Sequence, residues 1–298
     1  MTRKTLKGLA ESRALAGKTA IVTGASGAFG SATLRVLKFL GAEAVGLDRV
    51  PGDGVLACDV TSDEQVTKAV GEATGQLGGG LDILIHYAGV GPAVDVGHAP
   101  DAEVREALDV NLLGPWRVTA AAMPALLAGS APGRPGGRGR GRVVITASLL
   151  AGVTMPFTAA YTVSKRALTA YADVLRLEYG THLDVTTVYP GYVDTPIHDR
   201  SRAAGVSLDG LVPAEQVRDT VLTAVSAAAA GRPPRDVAST GPGQGARRLA
   251  RHAPGLLDRA VSARVGRLAR HDQFSGAALA AGLRDRHQKD QYQKELPA

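Results

Sequence analysis

Short apolar runs alternate with longer stretches of helical period along most of the chain, and each run ends on a small or polar residue. Thr19–Thr23 (TAIVT), Ala44–Asp48, Gly54–Ala57, Leu81–His86 (LDILIH), Arg142–Ala147 (RVVITA) and Leu183–Tyr189 read as six strands, the third of them weak. Between them, Ala28–Leu40, Ser62–Leu77, Asp101–Leu127 and Thr158–Tyr179 read as helices. Ser62 stands where an N-cap belongs, with Gln65 three residues on, the spacing of a capping box.

Apolar strands alternating with helices predict a parallel sheet covered on both faces, a three-layer, doubly wound α/β fold of Rossmann type. Crossovers in such a sheet are right-handed, and ligands bind at the carboxyl ends of its strands. Two segments break the alternation. Gly129–Gly141 (GSAPGRPGGRGRG) reads as a surface loop. After Gly241 a helical stretch places Leu257, Val261, Val265 and Leu268 on one face and Arg259, Arg267 and Arg270 largely on others. The expected organisation is a lead segment (1–16), a Rossmann-type α/β domain (17–240) and a basic helical extension (241–298).

Composition changes this picture little. Aromatics are 4% of the 298 residues, so the core is expected to be built from small and branched aliphatics. Cys58 is the only cysteine, which excludes an internal disulfide and a cysteine-based zinc site; no metal is expected, and a cytoplasmic setting fits. The first eighteen residues carry dispersed charge and do not read as a secretory signal, and no run approaches the roughly 20 apolar residues of a membrane span. Charge is more informative. From Gly241 onward there are eleven basic and five acidic residues, an excess equal to the net charge of +6 for the whole chain. The body is therefore neutral overall, and nucleic acid is not an expected partner. The basic extension suits packing within the molecule or between subunits, and less well a membrane surface or anionic partner.

Three groups of residues carry candidate chemistry. Thr23–Gly30 (TGASGAFG) follows a strand and opens a helix. Gly24, Ser26, Gly27, Ala28, Phe29 and Gly30 could thus bring backbone and a helix N-terminus against a pyrophosphate. Asp48 ends the second strand 24 positions after Gly24, near the roughly 20 expected of an acid that binds adenosine ribose hydroxyls, which favours NAD. Arg49 points the other way: it would pair with the 2′-phosphate of NADP or lie in solvent. Tyr161 and Lys165 share a helix face at i, i+4, where an ammonium would lower the phenol pKa from its usual value near 10. Ser148 directly follows the fifth strand and suits either a substrate carbonyl or a cap, and Asn111 sits inside a predicted helix, where asparagine is mildly unfavourable.

Taken with Asp59 in CDV, Ala88–Gly89 in HYAG and Pro190–Gly191 with Thr195 in PGYVDT, this set resembles the short-chain dehydrogenases/reductases, in their compact single-domain branch, over roughly residues 17–197. The resemblance implies an NAD(P)-dependent oxidoreductase that interconverts a secondary alcohol and a ketone or aldehyde. Asn111, Ser148, Tyr161 and Lys165 would form its catalytic tetrad, with Tyr161 as acid/base and Asn111 anchoring a water of the proton relay. Asp59, with Val60 beside it, would bind adenine; Ala88, Gly89, Pro190 and Gly191 would line the cofactor; and Val193 and Thr195 would hold the nicotinamide carboxamide. The family usually forms homodimers or homotetramers through the Thr158–Tyr179 helix and its neighbour. Three features depart from its pattern: Ala28 where the compact branch has glycine, His86 and Tyr87 where it has two asparagines, and the long loop before Ser148. Two other readings are a nucleotide sensor without catalysis, disfavoured by the complete tetrad, and an extended-branch epimerase or dehydratase, suggested only by the glycine spacing. Leu149, Leu150, Met155, Phe157, Tyr192 and His198 are expected near the pocket, which suits an apolar alcohol or ketone.

Overall fold

The computed structural model describes residues 14–129, 140–206 and 213–270. Most of the lead segment, nearly all of the Gly/Arg loop and the basic residues Arg284, Arg286, Lys289 and Lys294 lie outside the described residues, as does the side chain of Leu268.

Seven parallel strands form one sheet in the order β3-β2-β1-β4-β5-β6-β7. They are β1 (Thr19–Thr23), β2 (Glu43–Asp48), β3 (Val55–Ala57), β4 (Ile83–His86), β5 (Gly141–Thr146), β6 (Leu183–Tyr189) and β7 (Asp236–Ala238). The helices are α1 (Ala28–Phe39), α2 (Asp63–Gln76), α3 (Ala102–Leu108), α4 (Gly114–Gly129), α5 (Ala159–Tyr179), α6 (Asp199–Ala203), α7 (Val217–Ala229), α8 (Gly241–His252) and α9 (Pro254–Arg270). The six expected strands are present. The seventh is only three residues long and follows a Pro-Pro pair, too short to show a period.

Side chains alternate across the sheet as a strand requires. Ile21, Leu84, Val143 and Ile145 face a layer containing α2, α4 and α5, where Val66, Val70, Leu126, Leu168 and Leu175 are buried. Ala20, Val22, Ile83, Ile85 and Val144 face the other layer, against Leu34 and Leu37 of α1 and Val221 and Val225 of α7. Cys58 lies in the first of these cores at 2% exposure. Ser62 caps α2 by accepting from the Gln65 amide (3.3 Å), as its sequence predicts.

The strand order reverses between β1 and β4. Chain leaving the carboxyl ends of those two strands runs in opposite directions, and a crevice opens there. The carboxyl end of β5 adjoins it, because β5 pairs with β4. The C-terminal helices complete this side of the molecule: Leu257 and Val261 of α9 and Ala246 and Ala250 of α8 pack against Leu150, Val153 and Met155. Among the described residues, Leu257 and Val261 of the apolar stripe thus pack on the body of the same chain, in keeping with the intramolecular reading given above.

Candidate active site

The glycine-rich turn after β1 is set by two close approaches. Gly24 adopts φ +66°, and a Cβ there would lie 2.7 Å from the Ala88 amide nitrogen on the chain leaving β4. Gly30, inside α1, would place a Cβ 2.1 Å from the Gly24 carbonyl oxygen. Gly27 is the extended N-cap of α1, and Ala28 is simply its first helical residue. The departure at Ala28 is therefore absorbed without disturbing the turn. No side chain caps α1 and no acid occupies its first turn, so its free N–H donors are left for an anion. Phe29 packs on Tyr87, with ring centroids 5.6 Å apart, and the Thr33 hydroxyl donates to the Tyr87 oxygen (3.0 Å). Tyr87 of HYAG thereby ties α1 to the chain leaving β4.

Asp48 holds this end together. Its carboxylate accepts from the Ser26 amide (3.0 Å) and the Val50 amide (3.1 Å), while the Ser26 hydroxyl donates to the Val50 carbonyl (2.6 Å). Asp59 accepts from both the amide and the hydroxyl of Thr61 (2.9 and 2.8 Å). Burial pushes the Asp59 carboxyl up, but the Thr61 hydrogen bonds and the charges of Arg49 and Arg117 outweigh it and hold the group below the usual range.

At the other end, Ser148 follows β5 and accepts from the Leu150 amide (3.1 Å), capping the short turn Leu149–Ala151. Its hydroxyl also reaches that of Tyr161, in the first turn of α5. Lys165 lies one helical turn further on, 4% exposed, with its ammonium donating to the Thr146 carbonyl (3.0 Å) and standing 5.7 Å from the Tyr161 ring centroid. Burial pushes the Tyr161 phenol up to about 12, and the Ser148 hydrogen bond only partly offsets this. Lys165 is lowered by burial to about 8. The i, i+4 spacing does place both groups together, yet the expected lowering of the phenol by the ammonium is absent from this form. Desolvation dominates, and Lys165 is turned toward Thr146.

Asn111 differs from expectation in a similar way. It lies in a single π-helical turn, Asp109–Leu113, between α3 and α4 and is fully buried. Its side-chain oxygen accepts from the Val90 amide (2.8 Å), and its side-chain nitrogen donates to the Val90 carbonyl (2.9 Å) and the Ser164 hydroxyl (3.0 Å). Both side-chain donors are engaged. Asn111 therefore clamps the loop after β4 to α5 with its side chain, and a relay water would depend on its remaining acceptors.

His86 is 2% exposed, and its Nε2 lies 2.9 Å from the Thr119 hydroxyl of α4. Burial, helped by the charge of Lys165, pushes it down to about 3. An imidazole held neutral in the fold but free to protonate near 6.5 when unfolded makes the unfolded chain bind more protons between those values. Its contribution to stability is thus full above about 6.5 and is lost as pH falls toward 3. Thermal melts across that range should show a steeper acid-side fall for the wild type than for His86→Asn; parallel curves would contradict the buried neutral imidazole.

A single cleft of about 520 Å³ joins the two ends. Gly24, Ser26, Gly27, Ala28, Phe29, Arg49, Gly89, Ser148, Tyr161, Lys165, Pro190, Gly191, Val193 and Thr195 line it, whereas Asn111, Gly30, Asp48, Asp59, Val60 and Ala88 stand behind its walls or outside it. Leu149, Leu150, Tyr192 and His198 reach the cleft as expected, with the Tyr192 and His198 rings 4.7 Å apart; Met155 and Phe157 are buried and do not line it. Sequence reasoning did not single out Gly91, on the loop after β4, or Ile197 and Arg200, which the turn Pro196–His198 and α6 bring to the cleft from distant chain. The described lining contains three formal cations, Arg49, Lys165 and Arg200, and no carboxylate. With the uncapped start of α1, that composition fits a dinucleotide pyrophosphate.

Fold and cleft together define an α/β oxidoreductase of the nicotinamide-dependent class. The chain belongs to the short-chain dehydrogenase family, whose profile, described as short chain dehydrogenase, matches residues 18–205. It is similar to "Dehydrogenase/reductase SDR family member 7B" of Bos taurus, 30% identical over 273 residues that cover 82% of this chain and 80% of that one. The protein of the same name from Xenopus laevis is 34% identical over 180 residues, and there the match spans 56% of this chain and about half (51%) of the relative's length. Among solved structures, a short chain dehydrogenase from Burkholderia cenocepacia J2315 in complex with NADP superposes with a TM-score of 0.68 at 26% identity, covering 83% of this chain and 98% of that one.

Proposed function

We propose that this chain interconverts a secondary alcohol and a ketone or aldehyde on an apolar substrate, with Tyr161 as the proton-transfer group. The observation that carries the reading is the cluster of Ser148, Tyr161 and Lys165 at the apolar end of a cleft whose other end is an uncapped helix N-terminus. A nicotinamide dinucleotide bound there would supply or accept the hydride. Ser148 would donate a hydrogen bond to the substrate oxygen, where negative charge develops on reduction. Tyr161 Oη would give that oxygen its proton. Lys165 would stabilise the phenolate left behind, and Asn111 would hold the loop at Val90 and the start of α5 in register. Val193 and Thr195, on the wall beyond Gly191, would position the carboxamide.

For the cofactor, we favour NAD. Asp48 is fixed beside the Ser26 amide, where a carboxylate suits ribose hydroxyls and repels a 2′-phosphate. Titration should show tighter binding of NADH than of NADPH, with Asp48→Ala weakening NADH by at least about tenfold, the worth of a hydrogen bond to a charged group. Preference for NADPH, abolished in Arg49→Ala, would overturn this assignment.

We also infer a homodimer through α4 and α5. Trp116 stacks on Tyr171 (5.0 Å), and Leu113, Val163, Val174 and Leu177 of the same two-helix region are exposed. Sedimentation should report a dimer that Leu177→Asp shifts toward monomer; a monomeric wild type would remove the proposal.

A further inference from the structure

Of the three cations in the cleft lining, two have evident places. Lys165 is buried beside Tyr161, and Arg49 adjoins Asp48 at the adenosine end. Arg200 is different. It sits in α6, one helical turn beyond Ile197. A Cβ built on Gly91 would stand 3.4 Å from Cγ1 of Ile197 and 3.8 Å from Cδ2 of Tyr161, so these two side chains flank Gly91. The next residue, Ser201, donates to the Gly91 carbonyl (2.9 Å), which anchors α6 over the loop after β4. Arg200 therefore stands near the reacting end, where an anionic substrate would meet it.

Its charge is already matched. Nη1 and Nη2 of Arg200 donate to the two carboxylate oxygens of Glu106 on α3, the second at 3.2 Å. The hydrogen bond to Glu106, assisted by the charges of Glu106 and Glu103, outweighs desolvation and raises the guanidinium further. A two-pronged pair of this kind uses one edge of the guanidinium, the geometry with which arginine would otherwise grip a substrate carboxylate.

We propose that Glu106, by holding Arg200, keeps the pocket selective for uncharged substrates, and that the substrate of this enzyme is a neutral alcohol or ketone. Glu106 is thus a specificity-determining residue acting through Arg200. The inference rests on the oxidoreductase reading above. Releasing Arg200 supplies a carboxylate partner at the pocket and changes none of the Ser148, Tyr161 and Lys165 cluster.

The test is NADH-dependent reduction of matched pairs, levulinate with its methyl ester and acetylbenzoate with its methyl ester, by wild type, Glu106→Gln and the double variant Glu106→Gln/Arg200→Gln. The ion pair is partly exposed, with side chains 47% and 31% accessible, so a neutral isostere of Glu106 should leave the fold standing. Expected are a preference of the wild type for the esters, a rise of about tenfold or more in the acid-to-ester ratio of kcat/KM in Glu106→Gln, and return of that ratio in the double variant. An unchanged ratio with the esters still reduced overturns this inference alone. A gain that persists in the double variant does the same, as does a tighter NADH Kd in Glu106→Gln without a change in ratio, which would assign Arg200 to the cofactor phosphates. Failure of the wild type to reduce any of the four compounds, while Tyr161→Phe also changes no other turnover, overturns the oxidoreductase reading and this inference with it.

Discussion

Tyr161→Phe is expected to lower the rate of the proposed ketone reduction by about 10²–10⁴-fold, the usual worth of a positioned general acid, with little change in NADH affinity. Phenylalanine keeps the ring and its packing at the start of α5 and removes only the hydroxyl that Ser148 reaches. With the phenol raised to about 12, Tyr161 stays protonated and able to donate at every ordinary pH. The group that titrates in the working range is Lys165, near 8. Below that value the ammonium is present to stabilise the phenolate formed by proton donation; above it the charge is lost. Reduction should therefore slow as pH rises through about 8 in the wild type. A phenylalanine variant within tenfold of wild-type kcat would remove Tyr161 from the chemistry.

Gly30→Val is expected to abolish NADH binding and to destabilise the fold by more than about 4 kcal/mol, the range reached only when a buried site cannot relax. The atom a Cβ would meet, 2.1 Å away, is the Gly24 backbone carbonyl, and Gly24 is itself pressed against Ala88. Relief requires moving the whole turn between β1 and α1. Gly27→Ala is the contrasting control. Its Cβ would meet the Gly24 oxygen at 3.3 Å, a tight contact that a shift of a few tenths of an ångström relieves, and its backbone is ordinary extended chain, so it should fold and lose far less stability than Gly30→Val. Urea unfolding of the two variants beside NADH titration distinguishes the cases; equal stability of Gly30→Val and wild type would refute the steric argument.

The contrast between these glycines shows what was legible in the sequence. Local rules sufficed for the strand–turn–helix around Gly24, for the Ser62 cap, and for the face shared by Tyr161 and Lys165. They also gave the apolar stripe of Leu257 and Val261, because period and spacing act over one or two helical turns. What they could not supply was long-range geometry. Arg200 and Glu106 are 94 residues apart and meet only because α6 folds back across the cleft. The π-helical turn at Asp109–Leu113 is hidden inside a stretch of ordinary helical pattern, since one extra residue per turn hardly alters the period. Helical spacing placed Lys165 beside Tyr161 but could not foresee that its ammonium would choose the Thr146 carbonyl, nor that burial would govern both groups.

Cys58 offers a practical use of the core. Its thiol is almost wholly enclosed, and burial, reinforced by the charges of Asp59 and Asp48, pushes it up to about 11. A maleimide needs an accessible thiolate, and the native fold presents almost none. The wild-type protein should therefore behave as a nearly thiol-free background for site-directed labelling. A cysteine placed at exposed Leu256, on the outer side of α9, would carry the only fluorophore and report on that helix without prior removal of the native residue.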